Sequence, residues 1–269
     1  MNPFDTHCHF EPGMDIPRLV ARAREAGLDG ILAMGGSPED DDGAAQAVAA
    51  APGFVHAAYG IFPDRATHLP TAAARNEAIR ALRERATGHG AIAIGEIGLD
   101  FSHGETPEER TLQRELFAAQ LRLAAELAIP CSIHSRAAET DTVAILRECA
   151  SPDLVRATRT GSLHCFVGPA SFAEALLPLG LRFGLTGILT FRSADELRGI
   201  VPTLPRDRLL VETDSPYLAP VPLRGKTCEP AFVIHTTARL GELLGLSPDE
   251  AAALTTANAR ALFLPEATP

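Results

Sequence analysis

The sequence predicts an α/β fold, a (β/α)8 TIM barrel forming a single domain over residues 1–269, and three observations carry that expectation. Short apolar runs alternate eight times with longer amphipathic ones, the pattern of βα units around a parallel sheet. The 269 residues match the roughly 250 that such a barrel takes. No linker or low-complexity stretch divides the chain.

The first strand is expected at Phe4–His9, with a helix opening near Pro17. Gly30–Met34 is the second, followed by a helix from Pro38. There Ser37 and the acidic run Glu39-Asp40-Asp41-Asp42 fit an N-cap and a first turn, where negative charge complements the helix dipole. Val55–Gly60 is the third strand, with a helix from Thr71. Ala91–Gly98 is the fourth, and it leads into Arg110–Leu127, where Leu112, Leu116, Ala119, Leu123 and Leu127 recur at helical spacing. Pro130–His134 and Ser162–Cys165 are the fifth and sixth strands, with helices near Glu139 and Ser171. The seventh, Arg182–Leu185, is short, and Phe191 fits either a strand or a loop before a helix near Ser193. Leu209–Glu212 is the eighth. Helices from Pro230 and over Pro248–Phe263 end the outer layer.

Hydrophobic residues make up 46% of the chain, enough for a sizeable core, but aromatics are only 5% and Trp is absent. The core must therefore be mostly Ala, Leu, Ile and Val. The opening MNPFDTHCHF lacks the basic and apolar regions of a secretory signal, and no run approaches the roughly 18 apolar residues of a membrane span. The cysteines Cys8, Cys131, Cys149, Cys165 and Cys228 form no C-x-x-C pair, so a reducing, cytoplasmic setting is expected. The net charge is -10, and Lys226 is the only lysine among 24 basic residues. That balance excludes the broad positive footprint of a general nucleic-acid binder. A phosphate-bearing substrate would have to be attracted locally, by metal and a few arginines.

Barrels of this kind carry their working residues at the C-terminal ends of the strands. His7 and His9 end the first strand, Glu96 lies on the fourth, His134 and His164 close the fifth and sixth, and Asp214 follows the eighth. All six fall at one end. His7 and His9 are two apart, so both face the same way and Cys8 faces the helices. His56, His68, His89, His103 and His235 are expected to be ordinary surface or core histidines.

Four histidines with two carboxylates suit zinc, manganese, iron or nickel better than calcium or magnesium alone, with one or two divalent ions per chain. Glu96 can bridge two ions through its two oxygens. His7, His9 and Asp214 would complete one site, and His134 and His164 the other. A water whose pKa the metal lowers towards about 7 is the expected nucleophile, with Asp214 as general base. Glu212 alternates with Asp214 and can orient a ligand histidine from behind.

These residues sit in segments that resemble the TatD-like deoxyribonuclease family of metal-dependent hydrolases. They are Asp5-Thr6-His7-Cys8-His9, Gly95-Glu96-Ile97-Gly98-Leu99-Asp100, Ile133-His134-Ser135-Arg136 and His164-Cys165-Phe166-Val167-Gly168. Further along come Thr186-Gly187-Ile188-Leu189-Thr190-Phe191, Glu212-Thr213-Asp214-Ser215-Pro216-Tyr217-Leu218, Arg224-Gly225-Lys226-Thr227-Cys228-Glu229-Pro230 and Asn258-Ala259. They run in the family's order across nearly the whole chain. The resemblance implies the barrel, a one- or two-metal site made of the six residues, and hydrolysis of DNA phosphodiesters, single-stranded or from an end. It also implies that Arg136 and Arg224 lie near the substrate, where guanidinium groups hold phosphate.

The chain departs from the family in two places. It carries Gly60-Ile61-Phe62-Pro63-Asp64 where the family usually has a His-Pro pair, and Cys228 where Asn commonly precedes Glu-Pro. Phe62 offers a base or ribose a stacking face, or marks a less polar substrate. The alternative function is hydrolysis of a small ester, lactone or amide by an amidohydrolase-type enzyme. Many two-metal enzymes of that type bridge their ions with a carboxylated lysine on strand four; here Glu96 stands there, and Lys226 comes after strand eight. A non-catalytic scaffold would have lost ligands, and none is lost.

Overall fold

Eight of the apolar runs are strands, and they pair in parallel in chain order. In the computed structural model, which describes residues 2–104 and 106–265, these are β1 (Phe4–Cys8), β2 (Gly30–Met34), β3 (Val55–Tyr59), β4 (Ala93–Asp100), β5 (Cys131–Arg136), β6 (Gly161–Leu163), β7 (Leu181–Leu185) and β8 (Leu209–Val211). Every strand residue is buried except His56 in β3 and His134, Ser135 and Arg136 at the end of β5, which is why most strands show no alternation of apolar and polar residues.

The amphipathic segments between them form α1 (Ile16–Glu25), α2 (Pro38–Ala50), α3 (Ala72–Gly88), α4 (Pro107–Leu127), α5 (Glu139–Cys149), α6 (Pro152–Arg156), α7 (Ala170–Leu176), α8 (Asp195–Ile200), α9 (Val233–Leu244) and α10 (Pro248–Phe263). Start signals act as the sequence suggests. Ser37 caps α2 by accepting from Asp40 N–H at 3.2 Å, and Thr106 with Glu109 forms a capping box on α4. The short α6 is an element the apolar spacing did not announce.

The seam between β8 and β1 is closed just beyond the strands. Asp214 N–H donates to the His7 carbonyl at 2.9 Å, and His9 N–H to the Ser215 carbonyl at 2.7 Å. Two register irregularities interrupt the ladders, one in β1 between Asp5 and Cys8 and one in β4 between Ile94 and Ile97. They bracket His7 and Glu96. Irregularities of this kind re-aim a side chain next to a site.

Six strand ends differ from the sequence expectation, β3 by stopping at Tyr59. His9, His164 and Glu212 lie one residue past their ladders, because the backbone turns there to bring the side chains over the barrel mouth. Strands β4 and β5 instead run on to Asp100 and Arg136. Phe191 is in a loop, after a 3-10 turn over Gly187–Thr190.

Helix α10 packs against α9 in the outer layer, as expected, and it also reaches the amino ends of the strands. Thr256 donates to the Asn2 carbonyl, Asn258 to the carbonyls of Arg206 and Leu209, and Arg260 pairs with Asp29. Ala259, Leu262 and Phe263 pack there with Phe4, Leu32, Met34 and Leu210. That end is plugged by apolar side chains, which leaves the opposite end for chemistry.

Helix α4 also reaches into the sheet with two amides. Gln113 accepts from Asp100 N–H and donates to the Asp100 carbonyl, both at 2.9 Å. Gln120 does the same for Ile61, at 2.7 and 3.0 Å. Both glutamines are buried, and each primary amide supplies the donor and acceptor that a neighbouring strand would otherwise give.

Candidate metal centre

The six residues singled out at the strand ends meet in one cluster around Glu96. Its Oε2 lies 3.3 Å from His7 Nε2 and 3.4 Å from His9 Nε2. Its Oε1 lies 3.1 Å from His134 Nδ1 and 3.3 Å from His164 Nε2. One carboxylate thus divides its two oxygens between two histidine pairs. Asp214 Oδ1 stands 3.8 and 3.7 Å from the Nε2 atoms of His7 and His9. The two histidine nitrogens are themselves 3.1 Å apart, and the rings of His7 and His164 stack at 3.8 Å.

Each side chain is held from behind. His7 Nδ1 contacts Ser132 Oγ at 3.0 Å, which leaves Nε2 facing inward. His134 Nε2 lies 3.2 Å from Asp100 Oδ2, which turns Nδ1 to Glu96. Glu212 Oε1 is 3.3 Å from His164 Nδ1, as its alternation with Asp214 suggested, and it also accepts from Cys165 N–H at 2.6 Å. Gly184 makes room for it, since a Cβ there would fall 2.1 Å from Glu212 Oε2. Asp214 itself adopts left-handed backbone, φ 57°, held by the N–H bond to His7 and by Asp5. Asp5 accepts from Thr213 N–H at 2.9 Å and from its hydroxyl at 2.7 Å.

The electrostatics of the cluster follow from burial and crowding. Burial would raise Glu96, but His164, His134 and His7 around it outweigh that and hold it well below the usual carboxylate range. Burial pulls His134 down, yet its bonds to Asp100 and Glu96 lift it to about 9. His9 and His164 rise for the same reason, against their burial, through Glu96 and its carboxylate neighbours. His7 moves the other way, lowered by burial and by the facing His164. Burial raises Asp214 above its ordinary value and pushes Asp5 to about 8.

These residues fit a divalent cation. Nitrogen and oxygen donors about 2.0–2.2 Å from one tetrahedral ion sit about 3.3–3.6 Å from one another, close to the 3.1–3.8 Å spacings among His7, His9, Glu96 and Asp214. Donor atoms of His7, His9 and Asp214, and of His7, Glu96 and His164, each gather within 4.8 Å. The site favours positive charge at three of its histidines, and a cation supplies that charge without protons.

Above the cluster opens a cavity of about 550 Å³, lined on one side by Glu11, Asp40, Phe62, Asp64 and Tyr217 and on another by Asp100, His103 and Arg136. Phe62 leans on His9 with ring centres 5.9 Å apart. Arg136 lines the cavity, whereas Arg224 does not; its guanidinium lies 3.7 Å over the Phe191 ring. His103, expected to be an ordinary histidine, sits at the mouth 3.2 Å from Asp100 Oδ2. Sequence reasoning gave no role to Asp100, Asp5, Ser132 or Tyr217. Asp100 carried a usable signal, because Glu96, Gly98 and Asp100 alternate on one face of β4. Asp5 alternates with His7 and His9 in β1, and Ser132 with His134 in β5, so the same signal was there for both.

A parallel barrel with imidazoles and carboxylates converging on its open carboxyl end defines the metal-dependent hydrolase type of (β/α)8 protein. Comparison with known proteins narrows that class. The family described as TatD related DNase matches residues 4–264. The chain is 44% identical over 182 residues to the uncharacterized metal-dependent hydrolase YcfH of Escherichia coli K12, a match spanning 68% of this chain and 66% of the relative, just under two thirds of its length. It is 37% identical to the 3′-5′ ssDNA/RNA exonuclease TatD of Pantoea vagans, with 93% of each chain covered. The crystal structure of YjjV, a TatD homologue from Escherichia coli K12, superposes with a TM-score of 0.84 at 29% identity, covering 97% of each chain. The chain belongs to the TatD-related DNase family. Among the described residues, no helix is long and apolar enough to cross a membrane.

Proposed function

We propose that the protein is a metal-dependent phosphodiesterase that shortens single-stranded DNA from a strand end, using one or two divalent ions held by His7, His9, Glu96, His134, His164 and Asp214. The observation that supports it above all is the division of the two Glu96 oxygens between His7 with His9 and His134 with His164. The name of the Pantoea relative gives the direction, 3′ to 5′. Zinc, manganese, iron, nickel and magnesium are the candidate ions.

A bound divalent ion supplies Lewis acidity towards a phosphoryl oxygen and acidifies a neighbouring water. The remaining work belongs to the chain. Asp214, beside His7 and His9 at the floor of the cavity, accepts the proton of the attacking water. The water oxygen bonds to phosphorus, the P–O3′ bond breaks, and the departing O3′ takes up the proton that Asp214 accepted, so the strand leaves with a 3′-hydroxyl. Asp100 and Glu212 hold His134 and His164 in their working orientations. Arg136, at the exposed end of β5, holds a phosphate oxygen. A mouth of this size admits a strand terminus more readily than an intact duplex, which suits a chain of net charge -10. The five unpaired cysteines suit work in the cytoplasm.

The test is an end-labelled single strand incubated with protein loaded in turn with magnesium, manganese and zinc, alongside an Asp214→Asn variant. Metal-dependent shortening that falls at least a hundredfold in the variant is expected. Retained activity in the variant, or no cleavage with metal bound, sinks the nuclease reading and turns attention to small esters.

A further inference from the structure

The walls of the cavity are electrically unequal. Strands β8, β1, β2 and β3 are consecutive around the barrel, and the segments after them carry Tyr217, Glu11, Asp40 in the first turn of α2, Phe62 and Asp64 into the lining. Above His9 and Asp214 at the floor, that arc presents three carboxylates and two aromatic rings, and among the described residues no arginine or lysine lines it. The Tyr217 hydroxyl donates to Glu11 Oε1 at 2.5 Å, which ties ring and carboxylate together at the rim. The adjoining arc, after β4 and β5, presents His103 and Arg136, with the Asp100 carboxylate taken up between His134 and His103. Arg65, the nearest arginine in sequence to the acidic arc, points to a different cavity behind Phe62 and pairs with Glu39 at 3.6 Å.

A polyanionic strand cannot lie on both arcs alike. Its phosphates are repelled by Glu11, Asp40 and Asp64 and attracted by His103 and Arg136. A nucleoside without a phosphate of its own is uncharged, has a π-face for Phe62 or Tyr217, and has hydroxyl donors for carboxylate acceptors. We infer that the β8–β3 arc is a subsite for an uncharged terminal nucleoside bearing a free 3′-hydroxyl, and that it rejects ends carrying a 3′-phosphate. The strand then leaves across β4 and β5. This assignment deepens the nuclease reading and rests on its 3′-to-5′ sense. The scissile phosphate sits over the metal ligands at the boundary between the arcs, so the group released is a nucleoside 5′-monophosphate.

The assignment is tested by binding, which needs no turnover. Thymidine 5′-monophosphate and thymidine 3′,5′-bisphosphate are titrated into manganese-loaded protein by calorimetry. The bisphosphate carries more charge, so plain attraction to metal would make it the tighter ligand. The expected result is that it binds at least tenfold more weakly. A Glu11→Gln/Asp64→Asn double variant, which spares Asp40 because that residue joins the cap of α2, narrows the gap threefold or more. Equal or tighter binding of the bisphosphate overturns the assignment. So does a gap unchanged in the variant, or failure of the monophosphate to bind. In parallel, strands ending in 3′-hydroxyl or 3′-phosphate are offered as substrates, and the hydroxyl end is expected to shorten at least tenfold faster. If neither strand is cut while the nucleotides are still discriminated, the nuclease reading falls and the polarity of the pocket stands.

Discussion

At the scale of single residues, the cluster depends on side chains that stand behind the candidate ligands. Asp100 is the clearest case. Its Oδ2 lies 3.2 Å from His134 Nε2, and without that contact the ring is free to turn its other nitrogen to Glu96. Partners of this type commonly contribute about 10–100-fold in metal affinity or activity. Asp100→Asn keeps the volume but loses the charge that favours the inward nitrogen. It is expected to weaken metal binding at least tenfold, measured by competition with a chromophoric chelator, while the unfolding midpoint of the metal-free protein moves little. Unchanged affinity would remove Asp100 from the positioning role.

At the scale of elements, the barrel end works because strands leave their ladders at chosen points. The irregularities in β1 and β4 fall at His7 and Glu96, and the ends of β6 and β8 release His164 and Glu212. Strand β7 contributes no ligand; it contributes space. Gly184→Ala would set a methyl 2.1 Å from Glu212 Oε2 in a buried, close-packed wall. Overpacking of that kind costs about 1–3 kcal/mol. Urea titration should give that loss, and a stability equal to the parent would mean that Glu212 has room to retreat.

The alternation of eight apolar runs was legible because parallel strands are buried on both faces and their helices are not. The candidate ligand set was legible for a related reason: His7, His9, Glu96, His134 and His164 are costly residues in or just past buried strands. Three things were hidden. The exact ends of β6 and β8 depend on backbone turns that leave no mark in composition. The reach of α10 to the amino ends of the strands depends on partners more than 200 residues away, as in the Thr256 bond to Asn2. Arg224 fits phosphate as well as it fits an aromatic face, and only the fold shows it over Phe191.

At the scale of the whole molecule, the candidate ligands lie in or just past β1, β4, β5, β6 and β8, so a bound ion would fasten both sides of the seam. Binding to the folded state alone stabilises it by about 2.7 kcal/mol at a hundred times the dissociation constant. For a domain of this size that corresponds to roughly 2–4 °C per kcal/mol in melting temperature. Stripping the metal with chelator should lower the midpoint by several degrees and restoring it should reverse the change. Equal midpoints would show that the barrel closes without the ion.

The paired glutamines of α4 carry a consequence at this same scale. Gln113 grips Asp100, beside the basic wall of the mouth, and Gln120 grips Ile61, next to Phe62 on the acidic wall. Seven residues separate them, two turns and about 10.5 Å along the axis. The helix is therefore a caliper clamped on the outside of the barrel, and its pitch fixes how wide the jaws stand. A change of helical register or a kink anywhere between the two amides would alter the gauge of the opening without touching a ligand, an aromatic ring or a charge inside it.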